Sequence, residues 1–169
     1  MYRNIHQEGY FTLLNCATMK PLQGWDVKTR NGKIEKLTDD EIQSVALEIV
    51  EDGERNPCIT FPSGVDTLGV TFPFLVLNLK DLKRNFTLEV LVLDDKDIPR
   101  LLRLTNYQPG TLLKKRSGSH RRRGMAVQAI HMVGDWYQHE LDLVDLVKKA
   151  FKTKYKETLK VRVSLRKRV

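Results

Sequence analysis

The chain has 169 residues, 41% hydrophobic and 30% charged, which excludes a disordered or fibrous protein and is long enough for one domain to bury a core without a metal or disulfide staple. No run approaches the ~18 apolar residues of a membrane-spanning helix. The net charge of +8 is unevenly spread: residues 1–99 hold 11 Lys and Arg against 16 Asp and Glu, whereas residues 100–169 hold 18 against 5, a net of +13. In chain order, residues 1–8 have no apolar signal core, so secretion is not expected. Cys16 and Cys58 are then expected as reduced thiols, Cys16 as a small core residue among Leu13, Leu14 and Ala17. Residues 10–14 are aromatic and aliphatic and read as a strand. Thr38 is a candidate N-cap for a short helix over 39–44. Residues 45–50 alternate, with Val45, Leu47 and Ile49 on one face. Residues 59–61 form a strand stopped by Pro62, and 68–72 follow after a turn. Residues 74–79 and 86–93 are longer strands whose short charged spacer suggests antiparallel neighbours.

Asp94, Asp95 and Asp97 make a turn before a strand at 101–104. The stretch 114–124 has six cations, two glycines and no large apolar residue, and reads as an exposed loop. Strands follow at 127–132 and 136–141. Leu143, Leu146, Val147, Ala150 and Phe151 fall at i, i+3, i+4, i+7 and i+8, a helical stripe, with Asp142 as N-cap and Lys148, Lys149 and Lys152 towards the C-terminal end. Finally Leu159, Val161, Val163 and Leu165 alternate with Lys160, Arg162, Ser164 and Arg166, putting apolar groups on one face and cations on the other. About ten short strands and one good helix predict a mainly β fold: a single-domain antiparallel β-sandwich, with a barrel as the variant, and the helix packed on its side.

Catalytic chemistry finds little support. His6, His120, His131 and His139 sit in no metal-ligand spacing, and a structural or solvent role is the default for each. No nucleophile elbow, Walker loop or dinucleotide fingerprint is present. The acidic turn at Asp94, Asp95 and Asp97 lacks the Gly and distal Glu of a calcium loop and reads as a solvated turn. Trp25 is expected as a packing anchor under a loop and Trp136 as a core residue. The chain is therefore expected to be no enzyme and to carry no cofactor or metal. The basic half suits nucleic acid, acidic protein tails or an anionic surface. No aromatic residues interleave with the cations at 114–123, so no stacking platform for single strands is formed.

Several strings carry a resemblance. Lys20-Pro21-Leu22-Gln23-Gly24-Trp25-Asp26, Arg30-Asn31-Gly32-Lys33-Ile34 and Thr38-Asp39-Asp40-Glu41-Ile42 are followed by Asn85-Phe86-Thr87-Leu88-Glu89-Val90, Thr105-Asn106-Tyr107-Gln108 and Tyr155-Lys156-Glu157-Thr158-Leu159. In this order, over nearly the whole chain, they resemble the cilia- and flagella-associated protein 20 family. The resemblance implies a β-sandwich with a short helix and a structural, non-catalytic role in ciliary doublet microtubules. That role lies at the inner junction, where the B-tubule closes onto the A-tubule, beside tubulin and the Parkin co-regulated gene protein. It implies the cytoplasm and cytoskeleton, the axoneme of cilia and flagella, and also basal bodies, centrioles and the nucleus, with no membrane partner. The stretch 114–123 is more basic than the family's loop and the chain stops at Val169 where the family continues, so a divergent or C-terminally short paralogue is the expectation. Candidate contacts with acidic tubulin are Lys114, Lys115, Arg116, Arg121, Arg122 and Arg123, with Lys160, Arg162 and Arg166 on the last strand. The alternative is a module that binds nucleic acid or a nuclear complex through the same basic half.

Overall fold

The alternating segment at the end of the chain lies near the middle of the molecule. The computed structural model describes residues 1–29, 32–51, 56–108, 113–115, 124–132 and 135–166, with the backbone alone for 113–115 and 166. Among these residues eleven strands and one helix follow in order. They are β1 (Asp26–Lys28), β2 (Gly32–Asp39), β3 (Ser44–Glu51), β4 (Cys58–Phe61), β5 (Phe74–Lys80), β6 (Asn85–Asp94), β7 (Pro99–Thr105), β8 (Leu113–Lys115), β9 (Met125–Ala129), β10 (Trp136–Asp142), α1 (Leu143–Phe151) and β11 (Tyr155–Arg166). One seven-stranded sheet runs β1-β4-β11-β6-β7-β9-β8, and β10-β5 and β2-β3 form two-stranded sheets. The mainly β expectation holds, and the sheets do not close into a barrel.

Period two decides which face of the large sheet is the core. Register sets Val161 opposite Phe61 and Val90, and Val90 opposite Leu102. With Leu88, Val92, Leu104 and Leu165 these residues share one face and are buried. Over this face lie α1, the inward residues Leu75, Leu77, Leu79 and Leu141 of β5 and β10, and Ile49 of β3. The helix forms where its stripe demands. Asp142 Oδ1 accepts Asp145 N–H at 2.9 Å, and Leu143, Leu146, Val147, Ala150 and Phe151 are all buried. Each large apolar side chain removed from water contributes about 1.5–3 kcal/mol, so this stripe fixes the helix on the sheet. Lys152 ends it in the left-handed conformation, its N–H donating to Lys148 O.

Five expectations are corrected. Residues 10–14 form no strand. Residues 68–72 form no strand either and make only a single bridge, from Val70 to Thr158. Their polar groups are met by other means: Leu68 N–H donates to Leu159 O, Thr71 N–H to Gln7 Oε1, and the Tyr155 hydroxyl lies 3.0 Å from both Val70 O and Phe72 O. Gly69, at φ +69°, has no room for a Cβ, which would sit 2.8–3.0 Å from Arg3 where the N-terminal segment crosses. The short helix expected over 39–44 is instead the turn between β2 and β3, because Asp39 Oδ1 accepts Glu41 and Ile42 N–H and holds the chain there. Strands β5 and β6 are not neighbours. The charged spacer carries the chain from one layer to the other, β5 pairing with β10 and β6 with β11 and β7. Finally, the large sheet is not wholly antiparallel. β9 pairs parallel to β7, because the chain passes outward to β8 before β9 returns between them.

Candidate functional site

The outer face of the seven-stranded sheet, opposite the core, carries the charged residues that interrupt the apolar strands. Register sets Glu89 opposite Arg103 on β7 and opposite Arg162 on β11. Arg103 donates to Glu89 Oε1 from Nε at 2.9 Å and from Nη2 at 2.6 Å. Arg162 Nη1 lies 3.7 Å from Glu89 Oε2, and its Nη2 lies 3.5 Å from Cys58 Sγ. Two guanidinium groups thus share one carboxylate across three adjacent strands, leaving this row with one net positive charge. Arg103 was missed in the sequence reading. The signal was there: Arg103 lies between Leu102 and Leu104, so strand alternation puts it on the face opposite those two leucines.

The expected cations are not gathered into one cluster. Lys114 and Lys115 belong to β8, at the sheet edge, paired in register with Ala126 and Met125. Four strand steps separate β8 from β11, roughly 19 Å at ~4.8 Å per step. Arg162 is exposed on the outer face, and Arg166 ends β11. Lys160 is already engaged, its ammonium donating to Pro62 O and Gly64 O, so it clasps the turn after β4. Arg116, Arg121, Arg122 and Arg123 lie outside the described residues. A further set of exposed cations, Lys148, Lys152 and Lys154, stands at the C-terminal end of α1 and just beyond it.

The other singled-out residues have structural settings. Among the described residues, no three His, Cys, Asp or Glu side chains come together as metal ligands. His6 pairs with Glu8 at 2.6 Å on the surface. His139 faces inward on β10, where burial pushes its pKa down and its Nε2 has no partner among the described residues. His120 lies outside them. Cys16 is half-buried rather than a core residue, while Cys58 is buried. Trp25 stacks on Phe61 at 5.1 Å and donates to Leu13 O, as a packing anchor should. Trp136 is half-buried and outside the main core cluster, with Nε1 donating to Asp39 Oδ1 at 3.0 Å. The acidic turn is not simply solvated. Asp94 is fully buried, accepts Lys96 and Ile98 N–H, and pairs with Arg100 Nε at 2.8 Å.

This polar framework coincides with the strings that carry the resemblance. Asn106 accepts Phe86 N–H and donates to Arg84 O, and Tyr107 meets Thr87. Glu157, buried, holds Arg3. The CFA20 domain matches residues 1–169. The cilia- and flagella-associated protein 20 of Paramecium tetraurelia is 38% identical over 96% of this chain and 82% of its own length. Those of Chlamydomonas reinhardtii and Caenorhabditis elegans are 37% and 36% identical over 96% of the chain, and over 82% and 77% of their own lengths. The chain belongs to the cilia- and flagella-associated protein 20 family. In this member the family strings fall on folding contacts: Trp25 on Phe61, Asn106 on β6, Tyr155 on the segment at 70–72, and Glu157 on Arg3 of the N-terminal segment. They identify the scaffold and do not by themselves mark a partner surface.

Proposed function

We propose that this cilia- and flagella-associated protein is a non-catalytic structural component of the axoneme, seated at the inner junction of the doublet microtubule against tubulin and beside the Parkin co-regulated gene protein. The observation that carries the reading is family membership along the whole chain, joined to a +13 net charge over residues 100–169 that suits a strongly acidic polymer. Arg162 and Arg103 on the outer sheet face, the edge strand β8 with the basic stretch beyond it, and Arg166 would supply the cationic side. Exposed ion pairs are worth about 0–1 kcal/mol each, so several cations acting together would speed encounter and set orientation, with shape supplying the rest.

Microtubule co-sedimentation of the wild type beside a variant with Arg121, Arg122 and Arg123 changed to Ser tests this. The wild type should pellet with microtubules at low salt and less so as salt rises, and the variant should pellet more weakly. Equal affinity would remove this stretch from the interface. Tighter binding to duplex DNA than to microtubules under the same conditions would favour the nucleic-acid reading, which the same charge supports.

A further inference from the structure

The two-stranded sheet β5-β10 turns an apolar and acidic surface outward. Phe74 is 50% exposed, Val76 47% and Val144, at the start of α1, 43%. Register puts Phe74 opposite Asp142 and Val76 opposite Glu140, so both exposed apolar groups of β5 have a carboxylate as cross-strand neighbour. Leu143 N–H donates to Pro73 O at 2.8 Å, which locks the start of the helix, and so Val144, beside the start of β5. Among the described residues no cation comes within ion-pair distance of Glu140 or Asp142, and Asp145 pairs only with its own helix neighbour Lys149. β10 is the only described strand that pairs with β5. An edge strand that shows Phe and Val to water is a liability unless something covers it, and proteins usually guard such edges with Lys. The only charge on β5 itself is Lys80, at its far end and paired with Asp39; beside Phe74 and Val76 the charges are the carboxylates of β10, so this part of the surface repels a second copy of itself in a two-fold arrangement and attracts a cationic segment.

We infer that the free edge of β5 receives an extended segment of a partner protein whose outward side chains, at every second residue, include both apolar groups and Lys or Arg. Its apolar groups cover Phe74, Val76 and Val144, and its cations meet Glu140 and Asp142. Main-chain pairing along a sheet edge supplies affinity and the alternating side chains supply selectivity. This goes beyond the proposed function and is independent of the basic half. It gives the molecule a second surface, of opposite charge, with which to join two partners.

The probe is a synthetic peptide of repeated Val-Ser-Lys-Ser, which shows valine and lysine together on one face when extended, titrated into the full chain at low salt by NMR. Its resonances should shift at 74–80 and 140–144. Phe74→Ser and Glu140→Lys, both exposed positions that should leave the thermal melt unchanged, should each weaken binding about tenfold. Arg162→Ser should leave it unchanged. Several results would overturn the inference: no binding, shifts confined to other residues, or equally tight binding by the same peptide with glutamate for every lysine or with serine for every valine. Concentration-dependent sedimentation of the wild type that is lost in Phe74→Ser would replace the partner with a second copy of this chain.

Discussion

Helix α1 and the β2-β3 hairpin are both attached to the rest of the protein, but by opposite means. The helix rests on five buried apolar side chains, with no buried ion pair of its own. The hairpin also leans Ile49 on the core, but its tip is fixed chiefly through one carboxylate, with Glu41 Oε2 a further 3.6 Å from the same Lys80 ammonium. Asp39 accepts Glu41 and Ile42 N–H from its own turn, Trp136 Nε1 from β10, and Lys80 Nζ at 2.6 Å from β5. Apolar burial is non-directional and proportional to area, so the first joint is strong and indifferent to pH. The second is directional. It fixes which residue meets which, and it inherits the titration of the group at its centre.

The largest effect should come from the apolar joint. Phe151 is 6% exposed, lies under the Arg100 guanidinium at 5.1 Å and closes the helix stripe. Phe151→Ala should cost roughly 3–5 kcal/mol in denaturant unfolding, with no dependence on pH between 5 and 8. A cost below ~1 kcal/mol would mean that the helix is held by something else. Tyr155 lies between the two kinds of joint. Burial pushes its hydroxyl up to about 12, and that hydroxyl bonds the irregular segment at 70–72 and Thr158. Tyr155→Phe should cost about 1 kcal/mol at pH 7. Because the folded state favours the neutral phenol, its contribution is intact below the ordinary pKa of about 10 and is lost as pH rises through about 12. The variant should therefore lose stability less steeply than the wild type across that window.

The same contrast explains what the sequence reveals. Apolar periodicity is local, so the stripe at Leu143 to Phe151 and the alternation in β11 could be read directly, with Asp142 capping as its residue type suggests. Which strands pair is not local. The spacer at 81–84 looks like a hairpin connection, yet it crosses between layers, because Asp81 N–H is taken by Asp135 O and Asp81 itself accepts Lys83 N–H. Polar joints were hardest to see. Thr38 and Asp39 before a short polar run resemble a helix start, but Asp39 caps a turn and reaches to residues 41 and 97 positions further along the chain. For the partner surface, alternation places Arg162 outward, while the sharing of Glu89 between Arg162 and Arg103, and the use of Lys160 as a clasp, depend on register and turn geometry.

The most specific effect belongs to Asp39. The Lys80 ammonium bonded to it, with help from Trp136 and two backbone N–H groups, outweighs the cost of burial and holds its pKa at about 2. An unfolded aspartate titrates near 3.9. The ionised form is thus favoured by folding, and its contribution is complete above about pH 4 and disappears as pH falls through about 2. Asp39→Asn keeps an oxygen for the turn and for Trp136 but loses the charge that Lys80 needs. At pH 7 the hairpin should stay docked, while the fall in stability between pH 4 and pH 2 should be shallower than in the wild type. Asp94 and Asp81, also lowered, contribute to the same acid limb, so the difference between the two proteins carries the information. Lys80→Met sharpens the test, since removing the largest cause should return the Asp39 carboxyl towards the ordinary range in an NMR titration. If the wild type and Asp39→Asn lose stability in parallel over that window, the hairpin is held by Ile49 and its apolar neighbours, and the two joints are of one kind.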